Sequence, residues 1–200
     1  NTPWGLRKKI VGKKINDVWT DWPKYFRLQK NRAEFKNNIF GKKIIGIERR
    51  AKNILIHLSG DNLLLIHQKL SGHLLLGKWE QEKGIWKSSI KGPLLNDRNN
   101  QYIRLIFFLS GGLMLALSDL RRFAKVLYGL EKDIENMPDL KNLGPEPLEL
   151  DFTYKKFRKL FEKKRGRIKQ VLMDPNFISG IGNIYADEIL WFSKIHPLSR

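Results

Sequence analysis

The sequence contains no cysteine. This absence excludes a disulfide framework, a thiol nucleophile and a thiolate zinc site within these 200 residues. Long apolar runs are lacking too, because stretches such as Leu105–Leu109 stop far short of the roughly 18 residues that a membrane helix needs. We therefore expect neither a membrane-spanning helix nor a membrane partner.

Acidic residues are few beside the basic ones. The chain has 38 Lys and Arg against 20 Asp and Glu, which leaves a formal charge of +18. A field of this sign concentrates polyanions at a protein surface, and nucleic acid is the commonest polyanion. An anionic membrane surface is the weaker alternative, and lysines that only keep the protein in solution are another. The 42% of hydrophobic residues suffice for a core in one or two domains.

Short apolar stretches separated by Gly-rich turns fill the first part of the chain. One predicted hairpin joins Asn53–Leu58 to Leu63–Ile66 through a turn of Ser, Gly, Asp and Asn. A second joins Tyr102–Leu109 to Leu113–Leu117 across Ser110–Gly112, where glycine supplies the positive φ that such turns require. This pattern predicts an antiparallel sandwich or a barrel-like domain.

The pattern changes near residue 142. Leu143–Leu148 contains two prolines and a glycine, which is typical of a linker or a domain boundary. Three helices are predicted beyond it: one capped by Asp151 or Thr153, one over Arg167–Met173 and one over Asn183–Lys194. The predicted fold class is therefore α+β, with a β domain over residues 1–142, a linker over 143–150 and a helical domain over 151–200.

A glycine-rich turn precedes the last predicted helix. Gly180 and Gly182 let the backbone approach another molecule closely, and Asn183 occupies an expected N-cap position, so free amides would point at an anion such as a phosphate. The alternative is a tight turn in which Asp187 and Glu188 balance the helix dipole.

Basic groups also gather at strand ends. Asp119–Phe123 presents two guanidinium groups beside an aromatic ring that can wedge into a base stack. The alternative pairs Asp119 with an arginine and buries Phe123. Two more segments with basic residues flank apolar strands, Arg49–Lys52 and His67–Gly72. One interpretation is that they contact a phosphate, and the alternative is that they form a solvated sheet edge. The four histidines lack the helical spacing of metal ligands, so we predict no metal site in this chain.

Six segments, in this order, resemble the formamidopyrimidine-DNA glycosylase and endonuclease VIII family. The formamidopyrimidine branch is the more similar, chiefly through Asp119–Phe123 and Leu143–Leu148. The six segments are Arg49–Lys52, His67–Gly72, Asp119–Phe123, Leu143–Leu148, Ile168–Asp174 and Gly180–Glu188.

The resemblance implies a β-sandwich N-terminal domain and a helix-two-turn-helix domain, with DNA bound in the cleft between them. It implies a base-excision-repair DNA glycosylase that removes oxidised purines, such as 8-oxoguanine and formamidopyrimidines, from duplex DNA. The implied AP-lyase activity then cuts the strand by β,δ-elimination. The implied partner is damaged double-stranded DNA, and the implied protein is a monomer in the bacterial cytoplasm, associated with the nucleoid.

Two parts of the family pattern are not found in the sequence. Family members attack the sugar with an N-terminal proline amine followed by a glutamate, and this pair is expected upstream of Asn1. The resemblance also implies a four-cysteine finger beyond Arg200, so zinc is expected in the full-length protein and no cofactor in this chain. We expect a fragment that is inactive by itself. The alternative is a catalytically inactive protein that binds damaged DNA.

The resemblance also implies roles for single residues. Lys52 matches the catalytic-site lysine, which donates a proton or contacts phosphate, and Gly182 and Asn183 match the phosphate-binding turn. It implies that three residues fill the void left by a flipped base: Leu70, Arg121 and Phe123. It implies further DNA contacts for His67, Tyr102, Arg122 and Arg165.

Overall fold

A computed structural model describes residues 3–89, 91–162 and 164–200. The chain divides into two compact units. The β unit comprises the residues up to Arg49 together with Asn53–Ile134, and the helical unit comprises Arg50–Lys52 together with Glu135–Arg200. The boundary expected from the sequence is residue 142, whereas the contacts divide the chain between Ile134 and Glu135 and also place Arg50–Lys52 in the helical unit. Asn1 and Thr2, which open the predicted first domain, lie outside the described residues.

The β unit consists mainly of strands, with short helices near its beginning and its end. Two brief 3-10 helices, Pro23–Tyr25 and Arg98–Tyr102, interrupt it, so that Tyr102 ends a helix instead of opening a strand. Its other elements are α1 Pro3–Ile10, β1 Ile15–Thr20, α2 Arg32–Ile39, β2 Ile44–Arg50, β3 Asn53–Leu58, β4 Asn62–His67, β5 Gly72–Gly77, β6 Trp79–Glu82, β7 Ile85–Ser88, β8 Ile103–Leu109, β9 Met114–Asp119, β10 Lys125–Leu130 and α3 Glu131–Glu135.

Two four-stranded sheets and one hairpin account for the strands among the described residues. The strand orders are β1-β8-β9-β5 and β10-β4-β3-β2, and β6 pairs with β7. Buried side chains from both four-stranded sheets form one apolar cluster, which includes Ile15, Ile56, Ile66 and Phe107. The antiparallel sandwich inferred from the sequence is therefore confirmed.

Both predicted hairpins are present. Gly60 and Asp61 have φ of 74° and 54° between β3 and β4, and Gly111 and Gly112 have φ of 81° and 72° between β8 and β9. Glycine adopts left-handed backbone without steric cost. The glycines therefore allow the tight turns that connect the strands of these two hairpins.

The helical unit contains α4 Pro138–Lys141, α5 Tyr154–Phe161, α6 Ile168–Met173 and α7 Asn183–Phe192. Thr153 is the cap of α5, because its hydroxyl accepts a hydrogen bond from the Lys156 N–H at 3.4 Å. The third predicted helix stops before Lys194, whose φ of 53° is left-handed and cannot continue an α-helix. Every helix among the described residues is too short or too polar to cross a membrane.

The segment predicted as a linker packs within the helical unit. The Gly144 N–H donates to the Pro175 carbonyl at 2.9 Å, and the Ser179 N–H donates to the Pro145 carbonyl at 3.0 Å. A Cβ on Gly144 would lie 2.5 Å from the Phe177 carbonyl oxygen, so only glycine allows this approach. The prolines and the glycine therefore shape a close backbone contact and not a flexible connection.

Asp174 makes the helical unit sensitive to acid. The Lys164 ammonium donates to its carboxylate at 3.0 Å, and this hydrogen bond holds the pKa of Asp174 below its usual range. The contribution to stability is complete above the unfolded aspartate pKa of about 3.9 and is lost as the pH falls through the lower folded value. Asp174→Asn should flatten the pH dependence of the unfolding free energy in this acidic range, measured by urea denaturation. Identical pH profiles for both proteins would contradict this role.

Candidate nucleic-acid interface

Arg50 and Glu146 hold the turn between β2 and β3 in the helical unit through hydrogen bonds and an ion pair. The Arg50 guanidinium lies 3.3 Å from the buried Glu146 carboxylate and donates to the carbonyls of Leu143 and Gly144 at 3.2 and 2.9 Å. It also donates to the Ser179 hydroxyl at 3.1 Å. The alternative of a solvated sheet edge therefore does not apply to Arg50, which links segments that are distant in the sequence.

Glu146 also shapes the backbone immediately before Lys52. Ala51 is buried and has a φ of 55°, and its N–H donates to the Glu146 carboxylate. Left-handed backbone costs a non-glycine residue roughly 1–2 kcal/mol, so this turn needs a compensating partner. Glu146 is that partner. The role of Glu146 is not predicted from the sequence, although the residue lies in the Leu143–Leu148 segment.

Lys52 reaches the glycine-rich turn before α7. Its ammonium donates to the Ile181 carbonyl at 3.0 Å, and a Cβ on Gly182 would lie 3.0 Å from the same ammonium nitrogen. Glycine at 182 therefore leaves room for the lysine head group. Lys52, Gly182 and the exposed Asn183 lie together in one unit.

The predicted N-cap role of Asn183 is wrong. Asn183 is the first residue of α7, and Gly182 is the N-cap, with an extended backbone and no side chain to accept a hydrogen bond. The first-turn amides have no intrahelical acceptors, and together with the Lys52 ammonium they form a favourable place for an anion. The alternative interpretation is that Asp187 and Glu188 balance the helix dipole. The Asp187 carboxylate instead lies 2.6 Å from the Lys169 ammonium. We call Lys52, Gly182 and Asn183 the anion site.

Arg165 lies in the segment between α5 and α6. It is exposed and directly precedes Gly166, whose φ of 127° favours glycine. Its predicted contact with DNA stays a prediction.

In the β unit, a tight loop after β4 exposes Leu70. Leu70 is 76% exposed, and the preceding Lys69 has a φ of 56°. The loop is closed by the Gly72 N–H, which donates to the Gln68 carbonyl at 3.0 Å. A Cβ on Gly72 would lie 2.4 Å from that carbonyl oxygen. The glycine therefore makes possible the turn that projects an apolar side chain into solvent.

A second loop, after β9, presents Arg121 and Phe123. Phe123 is 50% exposed, and the Arg121 guanidinium carbon lies 4.6 Å from the centre of its ring. Asp119 is fully buried and accepts hydrogen bonds from Tyr25, Ser71 and Ala124. The alternative with a buried Phe123 therefore does not hold. We call residues 68–71 and 120–123 the loop pair.

Two of the other predicted DNA contacts in the β unit, Arg122 and His67, have partners inside the protein. The Arg122 guanidinium lies over the Trp22 ring at 4.6 Å and 3.5 Å from the Asp21 carboxylate. His67 Nδ1 accepts from the Lys69 N–H at 3.0 Å, so the neutral ring carries its proton on Nε2. Tyr102 is half-buried at the end of its 3-10 helix. Their roles toward DNA stay predictions.

A metal ion needs a group of ligand side chains that lie close together. Within residues 3–89, 91–162 and 164–200, no group of three or more His, Asp or Glu side chains is placed to hold a metal ion. Since the sequence also has no cysteine, these residues do not fit a zinc site, and no chemical step is assigned to zinc.

A β-sandwich unit, followed by a helical unit with a glycine-rich turn before its last helix, defines the class: a two-unit protein of the helix-two-turn-helix type. The family model for the formamidopyrimidine-DNA glycosylase N-terminal domain matches residues 2–126. The model for the H2TH domain of the same enzyme matches residues 143–200. The chain belongs to the formamidopyrimidine-DNA glycosylase family.

Curated relatives agree with this membership. Formamidopyrimidine-DNA glycosylase of Moorella thermoacetica is 34% identical over 163 residues, which cover 82% of this chain and 54% of that protein. The enzyme of the same name from Pelotomaculum thermopropionicum is 34% identical over 192 residues, with 96% and 63% covered. The chain thus spans little more than half to about three fifths of these relatives.

Solved structures share the fold. A complex between the Lactococcus lactis Fpg and an abasic site containing DNA has a TM-score of 0.80 and 28% identity, over 99% of this chain and 66% of that one. A complex of the same protein with a FAPY-dG containing DNA has a TM-score of 0.79 and 28% identity, over 99% and 68%.

Proposed function

We propose that the whole protein is a base-excision-repair DNA glycosylase with AP-lyase activity. Its proposed substrates are oxidised purines such as 8-oxoguanine and formamidopyrimidines in duplex DNA. The observation that carries this proposal is the loop pair, where Leu70, Arg121 and Phe123 stand exposed on two adjoining turns. Family membership and the DNA complexes of the Lactococcus protein add support.

The loop pair suits the distortion that base flipping requires. An apolar side chain and an aromatic ring that enter a duplex replace stacking lost when a nucleotide is extruded. A guanidinium group adds planar donors for the edge of the orphaned base. Leu70 and Phe123 supply the apolar surface, and Arg121 supplies the donors.

The anion site suits a backbone phosphate. The Lys52 ammonium and the amides at the start of α7 bring positive charge to one place in the helical unit. Such contacts grip the backbone without reading the sequence, whereas the loop pair distinguishes damaged from intact duplex.

The anion site and the loop pair should therefore respond differently to substitution. Lys52→Ala and Asn183→Ala should weaken binding to intact and abasic duplexes by similar factors, and loss of the lysine should reduce the salt slope by about 0.9. Arg121→Ala and Phe123→Ala should reduce the preference for abasic over intact duplex about tenfold, since stacking on one base contributes roughly 1–3 kcal/mol.

Fluorescence anisotropy with matched duplexes, at salt concentrations between about 50 and 200 mM, measures both effects. Lys83→Ala and Ile85→Ala, at exposed positions of the β6–β7 hairpin, serve as controls for a lost charge and a lost apolar side chain. Equal losses on both duplexes for Arg121→Ala and Phe123→Ala would remove the loop pair from lesion recognition.

In this proposal the covalent step belongs to the terminal proline amine that the family resemblance implies. A terminal amine titrates near neutral pH and suits attack on the sugar, and residue 1 of this sequence is asparagine and not proline. We expect the 200-residue polypeptide to bind abasic duplex without forming an adduct that borohydride traps. A trapped adduct would contradict this expectation.

A further inference from the structure

The two turns of the loop pair adjoin the paired ends of β5 and β9, where Gly72 lies opposite Asp119, and the Ser71 side chain links them further. The Ser71 hydroxyl donates to the Asp119 carboxylate at 2.7 Å and accepts from the Arg121 N–H at 3.2 Å. A hydroxyl has one proton to donate and lone pairs to accept, so both contacts can form together. Ser71 follows Leu70 directly, and Arg121 lies in the other turn. This single side chain therefore connects the backbones that carry the exposed groups.

Asp119 anchors this link. It is fully buried at the end of β9, and one of its carboxylate oxygens accepts from the Tyr25 hydroxyl at 3.0 Å and from the Ala124 N–H at 2.8 Å. The other accepts from Ser71. Burying a carboxylate is costly unless hydrogen bonds replace its water. Three donors do so here, and Ser71 and Ala124 belong to or adjoin the loop pair.

Tyr25 completes the network from a third segment of the β unit. Burial, together with the nearby Asp119 charge, raises the pKa of the Tyr25 hydroxyl well above its usual range. The hydroxyl is therefore protonated near neutral pH and donates to Asp119 at 3.0 Å. Tyr25 thus supports the carboxylate from beneath the loop pair.

We infer that Ser71 and Asp119 are positioning residues for lesion recognition, which hold the two turns of the loop pair as one preordered wedge. The inference rests on the proposed function. Leu70 and Phe123 lie on separate loops, and ordering them only on contact with DNA would cost conformational entropy at that moment. The link between the turns removes this entropy cost before DNA binds. It therefore strengthens binding to damaged duplex, into which the wedge inserts, and not binding that rests on phosphate contacts alone.

Ser71→Ala tests the link with little disturbance of the core. It leaves Asp119 with Tyr25 and Ala124, and Ser71 is only half-buried. The preference for an abasic over an intact duplex should fall about tenfold, because the lost hydrogen bond involves a charged group. The slope of affinity against salt should not change. Ser71→Thr keeps the hydroxyl and should retain most of the preference.

Ser118→Ala is the matched control. Ser118 neighbours Asp119 on β9, and its buried hydroxyl donates to the Asn99 carbonyl at 2.7 Å, away from the loop pair. This variant removes a serine hydrogen bond from the same strand and should keep the preference. Hydrogen exchange without DNA gives a second readout: the Arg121 amide should exchange about tenfold faster in Ser71→Ala than in Ser118→Ala.

The possible results separate the inference from the proposed function. Equal affinity of the unchanged protein for abasic and intact duplexes would overturn the proposed function, and the inference with it. A preference that Arg121→Ala abolishes but Ser71→Ala preserves would overturn the inference alone. Unchanged exchange of the Arg121 amide in Ser71→Ala would also overturn it, whatever the binding results.

Discussion

Glu146→Ala should lower the free energy of unfolding by about 3 kcal/mol, the loss typical when one partner of a buried ion pair is removed. The substitution leaves the Ala51 N–H buried without its acceptor and deprives the Arg50 guanidinium of its charged partner. The left-handed turn at Ala51 then loses the interaction that offsets its strain. Urea denaturation measures the loss.

Glu149→Ala is the control for this prediction. Glu149 is an exposed glutamate in the same segment, and its removal should change stability by less than about 0.5 kcal/mol. Glu146→Ala should also displace Lys52, which directly follows Ala51, from the Ile181 carbonyl and weaken the proposed phosphate binding at temperatures where the variant is still folded. Equal stability of the two variants would show that the Arg50–Glu146 pair is dispensable.

Gly144→Ala should be comparably severe, with a loss of about 3 kcal/mol, at the upper end of the range for overpacking. The added Cβ would lie 2.5 Å from the Phe177 carbonyl oxygen and 2.6 Å from its carbon. Backbone cannot rotate away as a side chain does, so the contact between residues 143–146 and the segment before α7 must open. Thermal unfolding followed by circular dichroism measures the effect.

Gly182→Ala gives the comparison within the same unit. Its Cβ would meet the end of the flexible Lys52 side chain, and its φ of −116° is ordinary for any residue. We expect a cost below about 1 kcal/mol, because alanine is only a poorer N-cap than glycine. If both alanine variants were equally stable, the close backbone approach at Gly144 would not be a constraint on the fold.

Local signals in the sequence predicted the elements that local chemistry determines. The two Gly-containing hairpins follow from left-handed turn residues, and α5 follows from its Thr153 cap. The same kind of signal also lies before α2. Asn31 accepts from the Glu34 N–H at 2.9 Å, while the Glu34 carboxylate accepts from the Lys30 N–H at 2.6 Å, a pattern close to the capping box.

Interactions between distant segments could not be predicted in this way. No spacing or periodicity indicates that Arg50 pairs with Glu146, or that the Tyr25 hydroxyl donates to Asp119. Asn183 shows a subtler limit. It has the residue type of an N-cap, yet Gly182 takes that position with an extended backbone, and the missing Cβ of this glycine leaves room for Lys52. The motifs located the candidate site, and only the tertiary structure separates its scaffold from its exposed groups.

The membership of Arg50–Lys52 in the helical unit limits how the protein can be divided. A polypeptide of residues 135–200 would contain α4 to α7 and still lack the guanidinium that binds Leu143, Gly144 and Ser179. The helical unit is therefore not contiguous in the sequence, because a division near residue 134 separates Arg50 from Glu146. A recombinant of two relatives joined near this position should keep the stability of the helical unit only where the two parents together supply a matching arginine and glutamate.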